Sequence, residues 1–471
     1  MKLGIITGGG EAETVTGFAI DHRKVAPGTV FGAFEGARVN GEDFIDAAVA
    51  SGAIAVVARP GARVEGAAHI ADKRPRERFA NLAAQFFAPF PATNVAVTGT
   101  NGKTSTVEMT RQLWRMAGDH AASIGTLGVN TDSDNARTGL TTPDVVTFLS
   151  NVAGLAREGV THLAFEASSH GLSQYRTEGV PVRAAAFTNL GRDHLDYHGD
   201  MAAYFTAKLR LFSEVLSPEG TAVVWVDDPQ SDRVIDLARA RGNRLVSVGT
   251  HGDTLRLVSR DPTLLGQGLV IEAEGREHRV TLPLIGAYQA ANALIAAGLV
   301  IATGGDVATT LANLARLQPV RGRLERAVIT KQGAPVYIDY AHTADALEAA
   351  MLALKPHAAG RLIVVFGAGG DRDTGKREPM GQVAAQHADS IIVTDDNPRG
   401  ENPAEIRRMI LKGARGASEV EGRRDAIAAA IAEAEAQDIV LIAGKGHEQG
   451  QIVGDMVLPF DDVTVAREVA S

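Results

Sequence analysis

The sequence predicts an α/β protein of several domains, with mainly parallel sheets carrying helices on both faces. Three observations lead there. Short apolar runs alternate with stretches of helical spacing, as in strand–helix–strand units. The composition is 45% hydrophobic but only 5% aromatic, which points to packing by Ala, Val, Leu and Ile. The 51 glycines imply many strand-to-helix turns.

A chain of 471 residues exceeds one hydrophobic core and suggests about three domains. Two proline-bearing joints, Phe86-Phe-Ala-Pro-Phe-Pro-Ala-Thr93 and Arg316-Leu-Gln-Pro-Val-Arg-Gly-Arg323, mark the expected boundaries. The segments are then 1–88, 89–317 and 318–471. In the first, a strand is expected to begin unusually early, and Gly52-Ala-Ile-Ala-Val-Val-Ala58 reads as helix passing into strand. The central segment has expected strands near 95–98, 162–166, 184–188 and 221–226. The last has them near 334–339, 361–366, 390–394 and 438–442.

The formal charge of −9 argues against general nucleic-acid binding. With no cysteine, disulfides and thiolate chemistry are excluded. No apolar run reaches membrane-spanning length, and MKLGIITGGGEAE does not read as a signal peptide. A cytoplasmic protein without membrane insertion is expected.

Val95-Ala-Val-Thr-Gly-Thr-Asn-Gly-Lys-Thr-Ser105 is the most informative run. It reads as a buried strand, a glycine turn and a helix. Such a turn aims backbone N–H groups and the positive helix end at an anion. Gly99, Thr100, Asn101, Gly102, Lys103, Thr104 and Ser105 therefore form a candidate ATP-phosphate cradle. Lys103 neutralises charge, and the Thr104 hydroxyl suits Mg²⁺. Val97 stands where the usual P-loop carries glycine, so this loop is a shortened variant.

Glu166 ends an apolar strand, where ligands of open α/β sheets gather, and a carboxylate there suits Mg²⁺. His194 follows the next strand closely enough to reach the same region. Lys208 falls on an amphipathic helix, and position alone makes it a solvated lysine. A lysine neutralised by burial or by nearby positive charge can instead add CO₂ and become an anionic, metal-ligating carbamate. In the last segment, Arg372 and Arg399 can each grip a carboxylate with a planar fork. Asn397 adds a neutral donor and acceptor, Pro398 stiffens the turn, and Glu448 offers a negative charge to an ammonium group. That set suits a ligand with carboxylate and ammonium at both ends.

In order along nearly the whole chain, these motifs resemble the Mur ligases, ATP-dependent amide-forming enzymes of peptidoglycan and cell-wall synthesis. The resemblance rests on Thr98–Thr104, Glu166 with Ser168-Ser169-His170, Asn189 to His198, Lys208 with Leu211-Phe212, Gly322-Arg-Leu-Glu325, Asp339-Tyr-Ala-His342 and Gly444-Lys-Gly-His-Glu448. It implies a small UDP-sugar-binding N-terminal domain, a central P-loop ATPase domain and a Rossmann-like amino-acid-binding domain. By that resemblance Lys103, Glu166, His194 and Lys208 are catalytic. Thr104 and Glu166 hold one Mg²⁺, and His194 with carbamylated Lys208 helps hold another. Asn292 faces adenine, while Arg323 and Asp339 complete the nucleotide site.

The UDP-sugar residues so implied are His22, Thr141, Thr142, Ser168, Gln174 and Arg176. His22 stands where relatives usually carry serine, and Gln289 where asparagine is common. Asp396-Asn-Pro-Arg399 resembles the signature of the family branch that adds meso-diaminopimelate, implying Arg372, Asp396, Asn397, Pro398, Arg399, Gly444 and Glu448 as its contacts. The expected reaction joins that amino acid to UDP-N-acetylmuramoyl-L-alanyl-D-glutamate through an acyl phosphate, with a mobile third domain excluding water, in an enzyme that acts as a monomer. Other readings are a lysine-adding or folate-type relative and a noncatalytic P-loop regulator. A dinucleotide oxidoreductase is weak, since Ile6-Thr-Gly-Gly-Gly10 and Gly367-Ala-Gly-Gly370 lack the full G-x-G-x-x-G spacing.

Overall fold

A computed structural model describes residues 1–7, 12–36, 39–131, 135–136, 141–371 and 373–471. The chain forms two compact units, Met1–Val248 with Gly298–Gly305, and Gly249–Ala297 with Asp306–Ser471. Both are α/β, and most strand pairs in their larger sheets are parallel.

The first unit opens with a short helix, Leu3–Thr7, where a strand was expected to begin early. Leu3 is fully buried, and the Thr7 hydroxyl donates back to the Leu3 carbonyl, closing a helical turn. The first strand is instead Gly17–Ala19. It pairs with Thr29–Gly32, which pairs with Ala53–Ala58, which pairs with Ala68–Ala71, all parallel. The helix Pro75–Phe87 follows and buries Phe79, Ala80, Leu82 and Ala83.

The larger sheet of this unit is centred on the strand Thr93–Thr98. His162–Glu166 and Val182–Phe187 flank it, both parallel. Leu216–Trp225 and then Arg244–Gly249 continue beyond Val182–Phe187. Thr93–Thr98 is buried along its whole length, as expected of a strand covered on both faces. The loops after residues 98, 166 and 187 consequently leave at one sheet edge, with Val97 in register with Glu166 and Thr98 with Phe187.

The second unit contains an antiparallel set, Leu255–Thr263, Gly266–Ala273 and Arg276–Leu282. Its six-stranded sheet runs Glu325–Ile329, Pro335–Asp339, Ile439–Ala443, Leu362–Phe366, Ser390–Val393 and Ser418–Glu419. Only the first pair is antiparallel. Alternate residues of Leu362–Phe366 enter two different cores: Leu362, Val364 and Phe366 one, Ile363 and Val365 the other. Helices therefore cover both faces, and the segments after residues 339, 366, 393 and 443 share one edge. A hairpin, Gly450–Val453 with Met456–Pro459, follows. No helix among the described residues is long and apolar enough to cross a membrane.

Candidate active site

In the first unit the expected cradle is a strand, a turn and a helix. Thr93–Thr98 leads through residues 99–102 into the helix Lys103–Ala117. Gly99 (φ 148°) and Gly102 (φ 87°) take backbone conformations that side chains disfavour. A Cβ on Gly99 would lie 1.9 Å from Thr188 Oγ1. The turn is strapped to the neighbouring loop. Asn101 N–H donates to Asn189 Oδ1 at 2.9 Å, and the Asn101 carbonyl accepts from Thr188 Oγ1 at 2.6 Å and Asn189 Nδ2 at 3.1 Å. Thr100 Oγ1 donates to the Gly191 carbonyl and contacts the Tyr204 hydroxyl at 3.2 Å. Thr104 and Ser105 are buried in the first helical turn.

Lys103 Nζ donates to the carbonyls of Gly99 and Thr100 at 2.9 and 2.8 Å. Lys208, on the helix Met201–Arg210, is not a solvated lysine. It is 1% exposed, and its Nζ donates to the same Gly99 carbonyl at 2.6 Å over the face of Tyr204. Burial, and next the charge of Lys103, push its ammonium well below the usual lysine range. The helix passes directly into a wider turn, Leu211–Val215, of the π type that recurs at functional sites.

Glu166 is buried at its strand end. Its Oε1 accepts from Thr126 N–H at 2.7 Å, and its other oxygen from Thr126 Oγ1 at 3.3 Å. His194 adopts φ 51° before the short helix Leu195–His198, with Nε2 3.4 Å from Asp193 Oδ2. Its ring meets His170 edge-on at 4.8 Å, and His170 also packs on Tyr197 and His198. Burial first, then the neighbouring His194 and His198, pull His170 down to about 4, so it is neutral at neutral pH. Thr104 and Glu166 are both buried and carry oxygen donors of the hard kind that Mg²⁺ takes. No cage of three His, Cys, Asp or Glu converges among the described residues. As an amine hydrogen-bonded to Gly99, Lys208 is a donor and not a ligand.

The residues expected at the nucleotide sugar fall into two groups. Thr141 and Thr142 adjoin Glu166: Thr141 Oγ1 lies 3.1 Å from Thr126 Oγ1, and Thr142 Oγ1 donates to the Glu166 carbonyl. Arg176 donates to the Thr142 carbonyl and to Gln174 Oε1, while Gln174 Nε2 reaches the Tyr197 hydroxyl. Ser168 caps the helix Ser169–Ser173 through the Gly171 N–H. His22 stands apart from these contacts, its ring stacked on Phe44 at 4.4 Å. Beside it Asp21 binds Arg23 through both oxygens, and those hydrogen bonds hold its carboxyl down to about 2.

In the second unit Asn292, Arg323 and Asp339 are connected through Gln289 and Leu324. Asn292 Nδ2 contacts Gln289 Oε1, whose amide donates to the Arg323 carbonyl at 2.8 Å. Buried Asp339 accepts from Leu324 and Ala341 N–H. Burial raises its carboxyl above the usual range despite the opposing pull of Arg323. The Arg323 guanidinium lies over Tyr340 at 5.1 Å, and its buried Nε has no hydrogen-bond partner among the described residues.

At the shared edge of the same unit, the turn 394–399 meets the segment 444–448. Asn397 Nδ2 donates to Glu448 Oε2 at 2.9 Å, and Asn397 Oδ1 accepts from Lys445 Nζ and Ile452 N–H, both at 2.9 Å. Asp396 Oδ2 lies 2.5 Å from where a Gly444 Cβ would stand, so glycine permits the approach. Pro398 is buried, and Arg399 Nη1 donates to the Gly370 carbonyl. Arg372 lies outside the described residues. Sequence reasoning missed Lys445. It is fully buried, lies 3.5 Å from Glu448, and has its ammonium pulled below the lysine range by desolvation first. Its signal was a lysine between two glycines directly after an apolar strand. Glu448, assigned only to a ligand's ammonium, already faces this internal one.

In the first unit the strand-end glycine turn thus carries two lysines on one carbonyl, and in the second unit Asn397 joins fully buried Lys445 to partly exposed Glu448. The Mur ligase middle-domain model matches residues 97–300, and the Mur ligase glutamate ligase domain model matches 322–446. The chain is 59% identical, over 96% of its length and 94% of the relative's, to a UDP-N-acetylmuramoyl-L-alanyl-D-glutamate--2,6-diaminopimelate ligase of Zymomonas mobilis. It is 52% identical, over 97% and 95%, to the protein of that name in Bradyrhizobium diazoefficiens. A solved structure with the same description superposes with TM-score 0.77 at 32% identity, covering 100% of this chain and 98% of that one. The chain belongs to the Mur ligase family.

Proposed function

We propose that the protein joins meso-2,6-diaminopimelate to UDP-N-acetylmuramoyl-L-alanyl-D-glutamate, with ATP converted to ADP and phosphate, in peptidoglycan precursor synthesis. The relatives' shared name supports the substrates. The observation that carries the reading is Asn397 held between buried Lys445 and Glu448 on the turn that also presents Arg399. This seat offers both charge signs and a neutral amide to a ligand with carboxylate and ammonium ends. Lysine has no far carboxylate for Arg399 and Arg372 to grip.

In this reading segments 1–88, 89–317 and 318–471 bind the UDP-sugar, ATP and the amino acid respectively. The D-glutamyl side-chain carboxylate attacks the γ-phosphorus of ATP, the bond to ADP breaks, and an acyl phosphate forms. The diaminopimelate amine attacks the acyl carbon, phosphate leaves, and the amine loses a proton. Lys103 and the N–H groups of residues 99–105 offset the charge opposing the first attack. Thr104 and Glu166 would hold Mg²⁺, which supplies further charge neutralisation on the phosphates. The depressed ammonium of Lys208 suits it to react with CO₂, and the carbamate with His194 would provide a second metal contact. His22 and the residues 141, 142, 168, 174 and 176 are assigned to the nucleotide sugar. Asn292, Arg323 and Asp339 are assigned to the nucleotide.

The test is phosphate release with ATP, Mg²⁺ and the muramoyl dipeptide, comparing meso-diaminopimelate, L-lysine and no amine. Release that requires diaminopimelate, with tripeptide product seen by mass, supports the reading. Release with lysine alone refutes the substrate assignment.

A further inference from the structure

Arg423 and Asp462 form an ion pair with neither side chain exposed. Arg423 Nε donates to Asp462 Oδ1 and Nη2 to Oδ2, both at 2.7 Å. Arg423 opens the helix Arg423–Glu433, where the helix dipole disfavours a cation, and Asp462 opens the helix Asp462–Ala470. A buried pair of charges commonly adds no stability over apolar side chains of similar volume. Nor is it needed to tie these two helices, because Arg424 and Glu468 join them at the surface at 2.7 Å.

Besides Asp462, the guanidinium reaches the main chain behind the amino-acid seat. Nη2 also donates to the Ala443 carbonyl at 2.8 Å, and Nη1 to the Asp395 carbonyl at 3.4 Å. Those carbonyls belong to the residues immediately before Gly444 and Asp396. They lie at the root of both segments that meet around Asn397, Lys445 and Glu448. Asp395 is fixed through its side chain as well: Oδ2 accepts from Gly422 N–H at 3.1 Å, and Oδ1 pairs with Arg407. At the close approach of the two segments, a Cβ on Gly444 would stand 2.5 Å from Asp396 Oδ2 and 3.9 Å from Arg423 Nη1. Arg423 therefore stands directly behind that approach. Burial works against its charge, but Asp462 more than offsets this, so the guanidinium stays protonated.

We propose that Arg423, anchored by Asp462, is a positioning residue for the amino-acid seat. By donating to the Ala443 and Asp395 carbonyls it sets the spacing between the turn 396–399 and the segment 444–448. It touches no substrate and acts through the main chain. This deepens the proposed function and rests on its placing of the amino acid. One guanidinium can serve both carbonyls and the carboxylate because its N–H donors lie in a rigid planar fan, which an ammonium cannot match.

Steady-state kinetics and melting of the full chain test it. The double variant Arg423→Met/Asp462→Leu replaces the buried pair with apolar side chains, so its melting temperature holds or rises. KM for meso-diaminopimelate rises about 10- to 100-fold, while KM for ATP stays within about twofold. Arg423→Lys keeps a charge beside Asp462 but offers one donor point, so KM for diaminopimelate stays raised at least about tenfold. Arg424→Ala/Glu468→Ala removes only the surface tie and leaves both KM values unchanged. A folded Arg423→Met/Asp462→Leu protein with wild-type KM for diaminopimelate overturns the proposal, as does an equal rise in both KM values. Should that variant not fold, Arg423→Lys decides by the same criterion. Wild type that releases phosphate with L-lysine and not with diaminopimelate refutes the substrate assignment, and the same shift is then read in KM for lysine. Wild type that releases phosphate with neither amine overturns both.

Discussion

Lys103 and Lys208 donate to one carbonyl oxygen, that of Gly99, at 2.9 and 2.6 Å. Two lysine nitrogens on a single acceptor, one of them 1% exposed, make the ammonium form of the inner one costly beside the turn.

Removing the inner, buried amine should stabilise the ligand-free fold while ending turnover. Lys208→Met is expected to raise unfolding stability at neutral pH by about 1–3 kcal/mol, the range for relieving a buried polar group. Phosphate release should fall at least about a hundredfold. Denaturant unfolding and the coupled assay check the two halves.

The pH dependence has a definite sign. Lys208 titrates lower in the folded chain than in the unfolded one, so between those two values the unfolded chain binds more protons. Wild-type stability therefore rises with pH across that window relative to Lys208→Met. The gap between the two proteins should be largest below the folded value and close towards the ordinary lysine pKa of about 10.4. Melting curves from neutral to alkaline pH measure it, and a gap that widens with pH contradicts the placement.

Gly99→Ala puts a methyl group 1.9 Å from Thr188 Oγ1 and 3.1 Å from Asn189 backbone atoms. The expected cost is about 1–3 kcal/mol of stability, with ATP affinity lost as the turn shifts. Gly118→Ala, whose Cβ meets nothing within 4 Å at a positive φ of 97°, is the control for a positive-φ alanine without crowding. ATP titration and melting of the two variants separate crowding from strain.

Arg399→Ala should raise KM for diaminopimelate by the equivalent of about 2–5 kcal/mol, the loss of a charge-assisted pair. KM for ATP should hold. Steady-state kinetics varying each substrate in turn decides it, and an unchanged KM for diaminopimelate removes Arg399 from the seat.

Lys445→Met leaves Asn397 Oδ1 with only the Ile452 N–H and leaves Glu448 without its internal cation. KM for diaminopimelate should rise at least as far as in Arg399→Ala, and stability should fall by about 1–3 kcal/mol. Lys445→Arg, too large for a fully buried position, should not restore it.

Strands whose two faces are covered were legible because burial demands continuous apolar runs, and 162–166 and 335–339 fall within a residue of expectation. The glycine turn was legible because positive φ restricts the residue choice. Position alone left Lys208 a solvated lysine, because its nitrogen meets Gly99, far away in sequence, and only the family resemblance marked it as catalytic. Lys445 was overlooked for the same reason, its partner Asn397 belonging to another strand end. The helix Leu3–Thr7 was misread because a five-residue apolar run has no period long enough to tell helix from strand.

The turn 396–399 is held by main-chain groups of the hairpin. Ile452 N–H donates to Asn397 Oδ1, Arg399 N–H to the Ile452 carbonyl, and Gly454 N–H to the Arg399 carbonyl. Side chains at the hairpin's outer strand, including exposed Met456 and Val457, take no part in that hold. Substitutions of the side chains on this outer strand therefore leave the main-chain hold on the turn 396–399 in place. The hairpin gives the molecule a tolerant edge directly beside its most exacting one.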